Sequence, residues 1–290
     1  MNLAHIDELI EKFDHFEGSY RRKEMEEALT LKDEITPRLL GILETIIDDP
    51  ERYAREAHFA NNYAVALLAH FQEPAAHLPI IRAFCIPEVP REEIWGDMVT
   101  ETLPILLVQT CNGQFDAIRA LVADREAPEY VRGAAVDALT YAVAQGVLER
   151  EDVVLFLSGQ FTGAEAGLDS DYWSNIASAI SDIHPDGAME VIRKAYADGL
   201  INPGYVALES IEEDMADSKE EVLARFQGWV DGRFPQDVHG YLSWFACFEK
   251  RIPKKVKPHV DCTHKAQQNK KKKNRAKNKQ AKKARKKSRR

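Results

Sequence analysis

The segment APEYVRGAAVDALTYAVAQG, residues 127–146, contains the start, the apolar face and the stop of one α-helix. Pro128 is typical of a helix start, and Gly146 is typical of a helix end. Between them, apolar side chains recur every three or four residues from Val131 to Val143, which is the spacing of one helical face. We therefore predict a helix whose apolar face packs against neighbouring helices.

Similar signals occur through most of the chain, whereas the alternation of apolar and polar residues that indicates strands is almost absent. In ITPRLLGILETIIDD, Thr36 is predicted to cap a helix whose first residue is Pro37. In SDYWSNIASAISDIHP, Ser170 or Asp171 is predicted to precede a helix that ends before Pro185. The sequence therefore predicts an all-α fold.

Four short segments start at equal intervals of 37 residues, and a short helix pattern precedes each of them. They are PIIRAF at 79–84, DAIRAL at 116–121, VVLFLS at 153–158 and EVIRKA at 190–195. Two helices in every 37 residues predict a HEAT-like α-solenoid of helical hairpins, which leaves an extended concave surface for binding. The alternative is an irregular helical bundle in which part of the equal spacing is accidental.

Three arginines occupy the same position in three of these four segments. They follow matched aliphatic residues and are Arg82, Arg119 and Arg193. If the repeat register is correct, they lie on successive second helices and form a protein-binding surface for a carboxylate-bearing partner. Internal ion pairs with acidic residues of neighbouring repeats are the favoured alternative.

Charge divides the chain into two unequal parts. Residues 1–249 contain 19 Lys and Arg against 46 Asp and Glu, a net charge of −27, whereas residues 250–290 contain 20 against one, a net charge of +19. We predict an acidic α-helical repeat domain over 1–250, a linker over 251–264 and a disordered Lys/Arg-rich tail over 265–290.

The tail predicts contact with RNA or the ribosome, because clustered cations release counterions from phosphates without reading a base sequence. The nucleic-acid-binding residues are predicted to be Lys270, Lys271, Lys272, Lys273, Arg275, Lys277, Lys279, Lys282, Lys283, Arg285, Lys286, Lys287, Arg289 and Arg290. Two alternatives remain open: the tail binds the acidic surface of its own domain, or it is a solvated extension or a patch on a membrane surface.

Several phrases in one order give the chain a resemblance to a known family. They include FANNYAVALLAHFQEPAAHLPIIRAF, GDMVTETLPILL, PEYVRGAAVDALTYAVAQGVLEREDV, IRKAYADGLINPGYVALESIE and WFACFEK. Together they resemble the uncharacterised bacterial family called domain of unknown function 1186, over most of residues 1–250. The resemblance implies an α-helical repeat domain and no particular reaction.

Motifs for phosphate loops, dinucleotide binding, zinc proteases and serine hydrolases are absent from the sequence, so no cofactor and no catalytic residue are predicted. The enzymatic alternative is a metal-dependent hydrolase that uses Asp97 and Glu101, four residues apart on a helix, with nearby histidines. A further candidate metal group is the set His58, His70, His77 and Glu73. For both sets, ordinary helix capping and packing is the favoured interpretation.

The segment HVDCTH offers His259, Cys262 and His264 as zinc ligands, but it lacks the closely paired cysteines of zinc modules. We interpret it as linker. Cys85 and Cys247 have apolar neighbours and are predicted to be buried, reduced thiols, which fits a reducing cytoplasm. No segment is apolar over the length that a membrane span needs.

These features together favour a non-enzymatic scaffold or adaptor. In this prediction the acidic repeat domain binds an unidentified protein, and the basic tail adds weak, salt-sensitive contact with RNA or a ribonucleoprotein. The predicted location is the cytoplasm, without a membrane partner.

Overall fold

The computed structural model describes residues 3–167 and 170–248 and contains α-helices, three short 3₁₀ helices and no strand within those ranges, so the all-α prediction is confirmed. The α-helices are α1 Leu3–Asp14, α2 Arg22–Leu29, α3 Lys32–Asp48, α4 Pro50–Glu56, α5 Ala60–His70, α6 His77–Phe84, α7 Glu88–Trp95, α8 Met98–Glu101, α9 Leu103–Thr110, α10 Asp116–Ala123, α11 Glu129–Ala144, α12 Arg150–Ser158, α13 Tyr172–Asp182, α14 Met189–Ala197, α15 Leu208–Ala216 and α16 Lys219–Asp231. The 3₁₀ helices are Pro74–Ala76, Val238–Tyr241 and Ala246–Phe248. None of the helices in these ranges has the length and apolarity needed to cross a membrane.

The helices of successive repeats pack against each other in chain order. The four predicted segments lie in α6, α10, α12 and α14, which we call the outer helices, and the helices before them are α5, α9, α11 and α13. The latter form what we call the inner row: α5 packs on α9, α9 on α11, and α11 on α13, which in turn contacts α15. Because the inner helices have helices on more than one side, most of their residues are buried.

Hydrogen bonds at regular sequence intervals connect one helix pair to the next. The Gln72 amide donates to Gln109 Oε1 at 3.0 Å, and the two residues are 37 apart in sequence. A separation of 33 residues recurs in other links between successive pairs, namely His77 with Thr110, Arg150 with Ile183, and Ser181 with Asp214. The regular spacing of the sequence therefore corresponds to regular contacts.

Residues that the repeat alignment matches do not all lie on the same face of the outer helices. Ile118 and Ile192 are fully buried, whereas the matched Leu155 has 75% of its surface exposed. In α12 the buried side chains are instead Val153, Val154 and Leu157. The 37-residue spacing therefore predicts where each helix lies but not which face it turns towards the inner row, since one residue of offset rotates a helical face by about 100°.

Two local predictions were wrong. Helix α3 begins at Lys32, so Pro37 lies inside the helix and the Thr36 hydroxyl donates to the Lys32 carbonyl instead of capping. The earlier start buries Ile35 together with the apolar face of the helix. Cys247 is exposed, because it lies in the last short 3₁₀ helix, which has no buried residue.

The C-terminal residues 219–248, which we call the return segment, pack back across earlier helices. Helix α16 contacts α11 and α13, and Val238–Tyr241 contacts α2 and α5. The Tyr20 hydroxyl and His239 Nδ1 lie 2.8 Å apart and link the two ends of the described chain. The inner row is therefore partly covered by the chain itself, and its accessible surface is smaller than that of an open solenoid.

Candidate functional site

The uncovered part of the inner row contains a cleft of about 300 Å³ between α11 and α13, which we call the central cleft. Its lining combines acidic residues, an amide, tyrosine rings and a glycine: Thr100, Glu129, Tyr130, Gly133, Ala134, Asp137, Asp171, Tyr172, Asn175 and Tyr205. Half or more of the surface of Tyr130 and Tyr205 is exposed. The cleft is thus accessible from solvent and bordered by aromatic rings.

Helix α11 contributes one polar stripe to this cleft. Gly133 and Asp137 line the cleft, and the buried Tyr141, four residues after Asp137, shares their face of the helix. Between Val131 and Ala142, only Gly133 and Asp137 are not fully buried. A carboxylic acid is therefore held at the one part of the helix that neighbouring helices leave open.

The Asp137 carboxyl group has no hydrogen-bond partner or ion pair within residues 3–167 and 170–248. Burial raises its pKa to about 6, and the neighbouring Arg233 guanidinium offsets part of this increase. A carboxyl group with such a pKa exchanges its proton close to neutral pH. This makes Asp137 the most strongly perturbed group that lines the central cleft.

Asp182 lines a second cleft of about 350 Å³, together with Asp214, Arg225, Phe226 and Trp229. Solvent reaches the Asp182 side chain, but desolvation by the surrounding protein, together with smaller contributions from the Asp137 and Asp214 carboxylates, raises its pKa to about 7. Arg225 lowers it. Asp137 and Asp182 therefore influence each other electrostatically although they line different clefts.

The return segment supplies arginines to other carboxylates of this surface. Arg225 pairs with Asp214 at 2.7 Å, and Arg233 pairs with Glu101 at 2.9 Å. The Arg233 guanidinium also lies over the Trp229 ring, 4.9 Å from its centroid. Asp137 and Asp182 lie among these pairs but have no ion-pair partner within the described ranges.

The loop that carries Tyr205 is attached to the start of α13. The Asn202 N–H donates to Ser174 Oγ at 2.9 Å, and the Tyr205 N–H donates to the Asn202 carbonyl at 2.9 Å. The Tyr196 hydroxyl donates to the Val206 carbonyl at 2.7 Å. These bonds fix the backbone of the loop that places Tyr205 at the border of the cleft.

The three predicted protein-binding arginines have different local surroundings. Arg193 pairs with Glu212 of the next helix at 3.0 Å, and the Arg119 guanidinium lies 5.1 Å from the centroid of Phe156. Arg82 is exposed. Arg119 and Arg193 therefore contact side chains of their own chain. For Arg193 this contact is the internal ion pair that the alternative interpretation predicted.

The residues of the enzymatic alternative are dispersed. Glu101 is paired with Arg233, and Asp97 is exposed one turn before it. Glu73 Oε1 accepts from the Ala75 N–H at the start of a short 3₁₀ helix. Within residues 3–167 and 170–248, no three His, Cys, Asp or Glu side chains are placed to hold a metal ion.

The three histidines of the candidate metal group have separate environments. Burial lowers the pKa of His58, but hydrogen bonds with Asp14 and Glu56 outweigh this effect and raise it. His77 Nδ1 lies 3.0 Å from Thr110 Oγ1, and burial lowers its pKa. Burial also lowers the pKa of His70. Each histidine is thus explained by its local packing.

Two groups of predicted residues lie outside the described ranges. These are the tail residues Lys270 to Arg290 and the set His259, Cys262 and His264. Their predicted roles in nucleic-acid contact and zinc binding therefore stay predictions.

The fold and the site together define an all-α protein of stacked helix pairs with an acidic, tyrosine-bordered cleft on its inner row. The chain belongs to the family described as protein of unknown function DUF1186, whose model matches residues 4–249. The family resemblance drawn from the sequence is therefore confirmed.

Two curated relatives are described as uncharacterised proteins. One, from Chlamydia trachomatis serovar D, is 28% identical over 251 residues, which cover 81% of this chain and 98% of the relative. The other, from Chlamydia muridarum, is 27% identical over 251 residues and covers 81% of this chain and 99% of the relative. No solved structure matches this chain.

Proposed function

We propose that the protein is a non-enzymatic scaffold or adaptor that binds a partner protein on its inner row and contacts RNA through residues 265–290. The observation that carries the proposal is the central cleft, where the Asp137 carboxyl group, which has no ion pair or hydrogen bond within the described ranges, lies beside exposed tyrosine rings. Stacked helix pairs usually serve binding, because their side chains form one extended surface.

The aromatic residues support a protein partner. Tyr130, Tyr205, Trp229 and Trp244 each have 50% or more of their surface exposed, and they border three clefts on the inner row and the return segment. Tyrosine and tryptophan are enriched in the energetically important part of protein interfaces, since their rings bury much apolar area while keeping a polar group.

The acidic domain and the basic tail would have different ligands. Residues 265–290 contain 15 Lys and Arg among 26 residues and no aromatic side chain, so they can neutralise phosphates but have no ring on which bases stack. With 6 to 10 phosphate contacts, affinity falls by about 10³ to 10⁵ between 50 and 200 mM salt. We therefore propose RNA contact that is general and strongly salt-dependent.

The partner-binding part is tested by affinity purification of the full chain beside the double variant Tyr130→Ala/Tyr205→Ala, each with and without ribonuclease. The control is Leu155→Ala, which removes an equally exposed apolar side chain from an outer helix. We expect ribonuclease-resistant partners to be lost with the tyrosine variant and kept by the control. Identical partners for all three chains would contradict the proposal.

The RNA-binding part is tested with a chain that lacks residues 265–290, titrated with a fluorescent single-stranded RNA in low salt. We expect RNA binding to disappear, while helicity and melting temperature stay close to those of the full chain. A full-length chain with the tail residues in scrambled order should retain binding, because the proposed contact depends on charge alone. Undiminished RNA binding by the shortened chain would overturn this part.

One observation favours an enzyme as the second candidate. Asp137 and Asp182 have pKa values raised to about 6 and about 7, and general acid–base catalysis is most efficient when the pKa is near the working pH. These are not the carboxylates that the sequence suggested. Turnover of ester, amide or phosphoester substrates that Asp137→Asn and Asp182→Asn both abolish would select the enzyme.

A further inference from the structure

We propose that the central cleft binds the guanidinium group of an arginine side chain presented by the partner protein. This inference rests on the proposed function and adds the chemistry that the partner must offer. It is carried by four features of the cleft: unused hydrogen-bond acceptors, aromatic borders, the way in which the protein binds its own arginines, and a glycine that keeps the space open.

The acceptors come from two adjacent helices. Asp137 on α11 and Asn175 on α13 both line the cleft, and Asn175 Oδ1, a buried atom of a partly buried side chain, has no hydrogen-bond donor in the part of the chain that the structure describes. A buried acceptor without a donor costs about 1 to 3 kcal/mol, so a ligand that supplies donors gains this energy on binding. A guanidinium group carries five N–H donors in one plane and no acceptor, which suits a carboxyl group and an amide oxygen together.

Elsewhere the protein binds its own guanidinium groups in the same manner. Arg233 donates to the Glu101 carboxylate and lies over the Trp229 ring. The Arg132 guanidinium lies 3.7 Å from the centroid of Tyr172, whose side chain lines the cleft. Arg233 thus has an acid and a ring as partners, Arg132 stacks on a ring while donating to backbone carbonyls, and the central cleft offers Asp137 beside Tyr130 and Tyr205.

Gly133 keeps the cleft open beside the Asn175 amide. A Cβ atom at position 133 would lie 3.7 Å from both Nδ2 and Oδ1 of Asn175, an ordinary contact distance. Alanine therefore fits without strain but adds a methyl group beside the amide that the ligand must reach. Glycine inside a helix destabilises the fold by about 0.5 to 1 kcal/mol relative to alanine. The space that Gly133 leaves for a ligand explains why glycine occurs at this position.

Binding of a cation would also depend on pH. The groups that interact with Asp137 are Arg233 from the return segment, which is itself paired with Glu101, Asp182 from α13 and Tyr141 of its own helix, and the pKa of Asp137 is about 6. A guanidinium group favours the ionised carboxylate, so its binding releases a proton when the pH lies below this value. The affinity should therefore fall as the pH decreases below 6.

The test uses the full chain and three small probes: N-acetylarginine amide, N-acetyllysine amide and the uncharged N-acetylcitrulline amide, followed by saturation-transfer NMR. We expect the arginine probe to bind most tightly, with its affinity about tenfold lower in Asp137→Asn, which corresponds to the loss of one charge-assisted hydrogen bond. Gly133→Ala should weaken binding in a chain that remains fully folded. The control is Asp152→Asn on the exposed side of α12.

Three results would overturn the inference: equal binding of arginine and citrulline probes, equal binding of arginine and lysine probes, or arginine binding that Asp137→Asn and Gly133→Ala leave unchanged. Partner capture separates this inference from the proposed function. If Tyr130→Ala/Tyr205→Ala abolishes partner capture and Asp137→Asn does not, the scaffold function stands and the arginine site fails. If the arginine probe binds but no partner depends on the cleft, the scaffold function fails.

Discussion

Asp137 shows how one residue can combine a structural cost with a functional role. Its side chain is partly buried, and its carboxyl group has no hydrogen-bond partner within the described ranges and a pKa of about 6. In the unfolded chain the same group has the ordinary value of 3.8. A polar group that destabilises the fold and faces an accessible cleft is a common feature of functional sites, because stability alone would favour an apolar residue there.

The first prediction concerns the pH dependence of stability at Asp137. Between about pH 4 and pH 6 the folded chain keeps a proton that the unfolded chain has released, so stability falls as the pH rises through this window. Asparagine remains uncharged at every pH. We therefore expect Asp137→Asn to unfold at the same urea concentration as the natural chain at pH 4 and to be more stable at pH 8, by about 1 to 2 kcal/mol after solvent screening.

Urea titrations at both pH values measure this difference. Asp152→Asn, at an exposed position of α12, should show no such change between pH 4 and pH 8. A stability difference for Asp137→Asn that does not depend on pH would contradict the assignment of a raised pKa to this carboxyl group.

The second prediction concerns Arg150, which is buried at the start of α12. Its guanidinium group donates to the carbonyl groups of Ile183 and Asp186 at 2.7 Å, and also to that of His184. These carbonyls follow the end of α13, where the helix leaves them without intrahelical partners. Arg150→Met should therefore reduce the free energy of unfolding by about 3 kcal/mol, because it leaves several buried acceptors unsatisfied.

Chemical denaturation monitored by circular dichroism checks this value. The control is Arg193→Met, whose exposed guanidinium group pairs with Glu212 alone among the described residues, and it should change stability by less than about 0.5 kcal/mol. Equal effects of the two substitutions would show that Arg150 does not connect the two helices as described.

Among the helices, the first and last residues were predicted best where the capping signal and the apolar face indicate the same start. Helix α11 begins at Glu129 after Pro128 and is followed by Gly146 with φ of +70°, as its sequence indicated. Helix α3 was misplaced because Thr36 and Pro37 carry a start signal while the buried Ile35 extends the helix backwards. Packing decided between two local signals that the sequence alone leaves equal.

The central cleft was missed at the same scale. Gly133, Asp137 and Tyr141 were visible as a stripe in the sequence, since their spacing of four interrupts an otherwise apolar helix. Their significance depends on Asn175 and Tyr205, which other elements bring to the same cleft. Periodicity identifies a face of one helix, but it does not identify what lies opposite that face.

The third prediction compares two glycines of this helix and its end, one with ordinary helical backbone geometry and one with a positive φ. Gly133 has helical geometry with free space for a Cβ atom, so Gly133→Ala should stabilise the protein by about 0.5 to 1 kcal/mol. Gly146 follows the same helix with φ of +70°, a conformation in which alanine is strained, so Gly146→Ala should destabilise it by about 1 kcal/mol. Thermal unfolding of both variants measures the two signs. Stabilisation by both substitutions, or by neither, would contradict the assigned backbone conformations.

At the scale of the whole molecule, the contacts that close the described chain could not be predicted from the sequence. Arg233 and Glu101 are 132 residues apart, and Tyr20 and His239 are 219 residues apart. Such contacts leave no periodic signal, because they follow from the path of the return segment and not from any local pattern. The sequence predicted stacked repeats, but it did not predict that the C-terminal end of the domain returns to the N-terminal helices.

The path of the return segment determines how far the effect of a destabilising substitution extends through the domain. In an open stack of repeats each helix pair contacts only its neighbours, so a destabilising substitution affects a few adjacent helices. Here the 3₁₀ helix Val238–Tyr241 contacts α2 and α5, and α16 contacts α11 and α13. The return segment therefore connects helices that are distant along the row.

The fourth prediction follows from this connection and uses hydrogen exchange. Leu242 is fully buried directly after the 3₁₀ helix, so Leu242→Ala should cost about 2 to 5 kcal/mol and should reduce amide protection in α2 and α5, far from it in sequence. The matched control is Ile192→Ala, equally buried in α14, which should reduce protection around α13 and α14 and leave α2 unchanged. If Leu242→Ala instead lowers protection only within residues 219–248, the return segment does not stabilise the N-terminal helices, and the domain behaves as a simple linear stack.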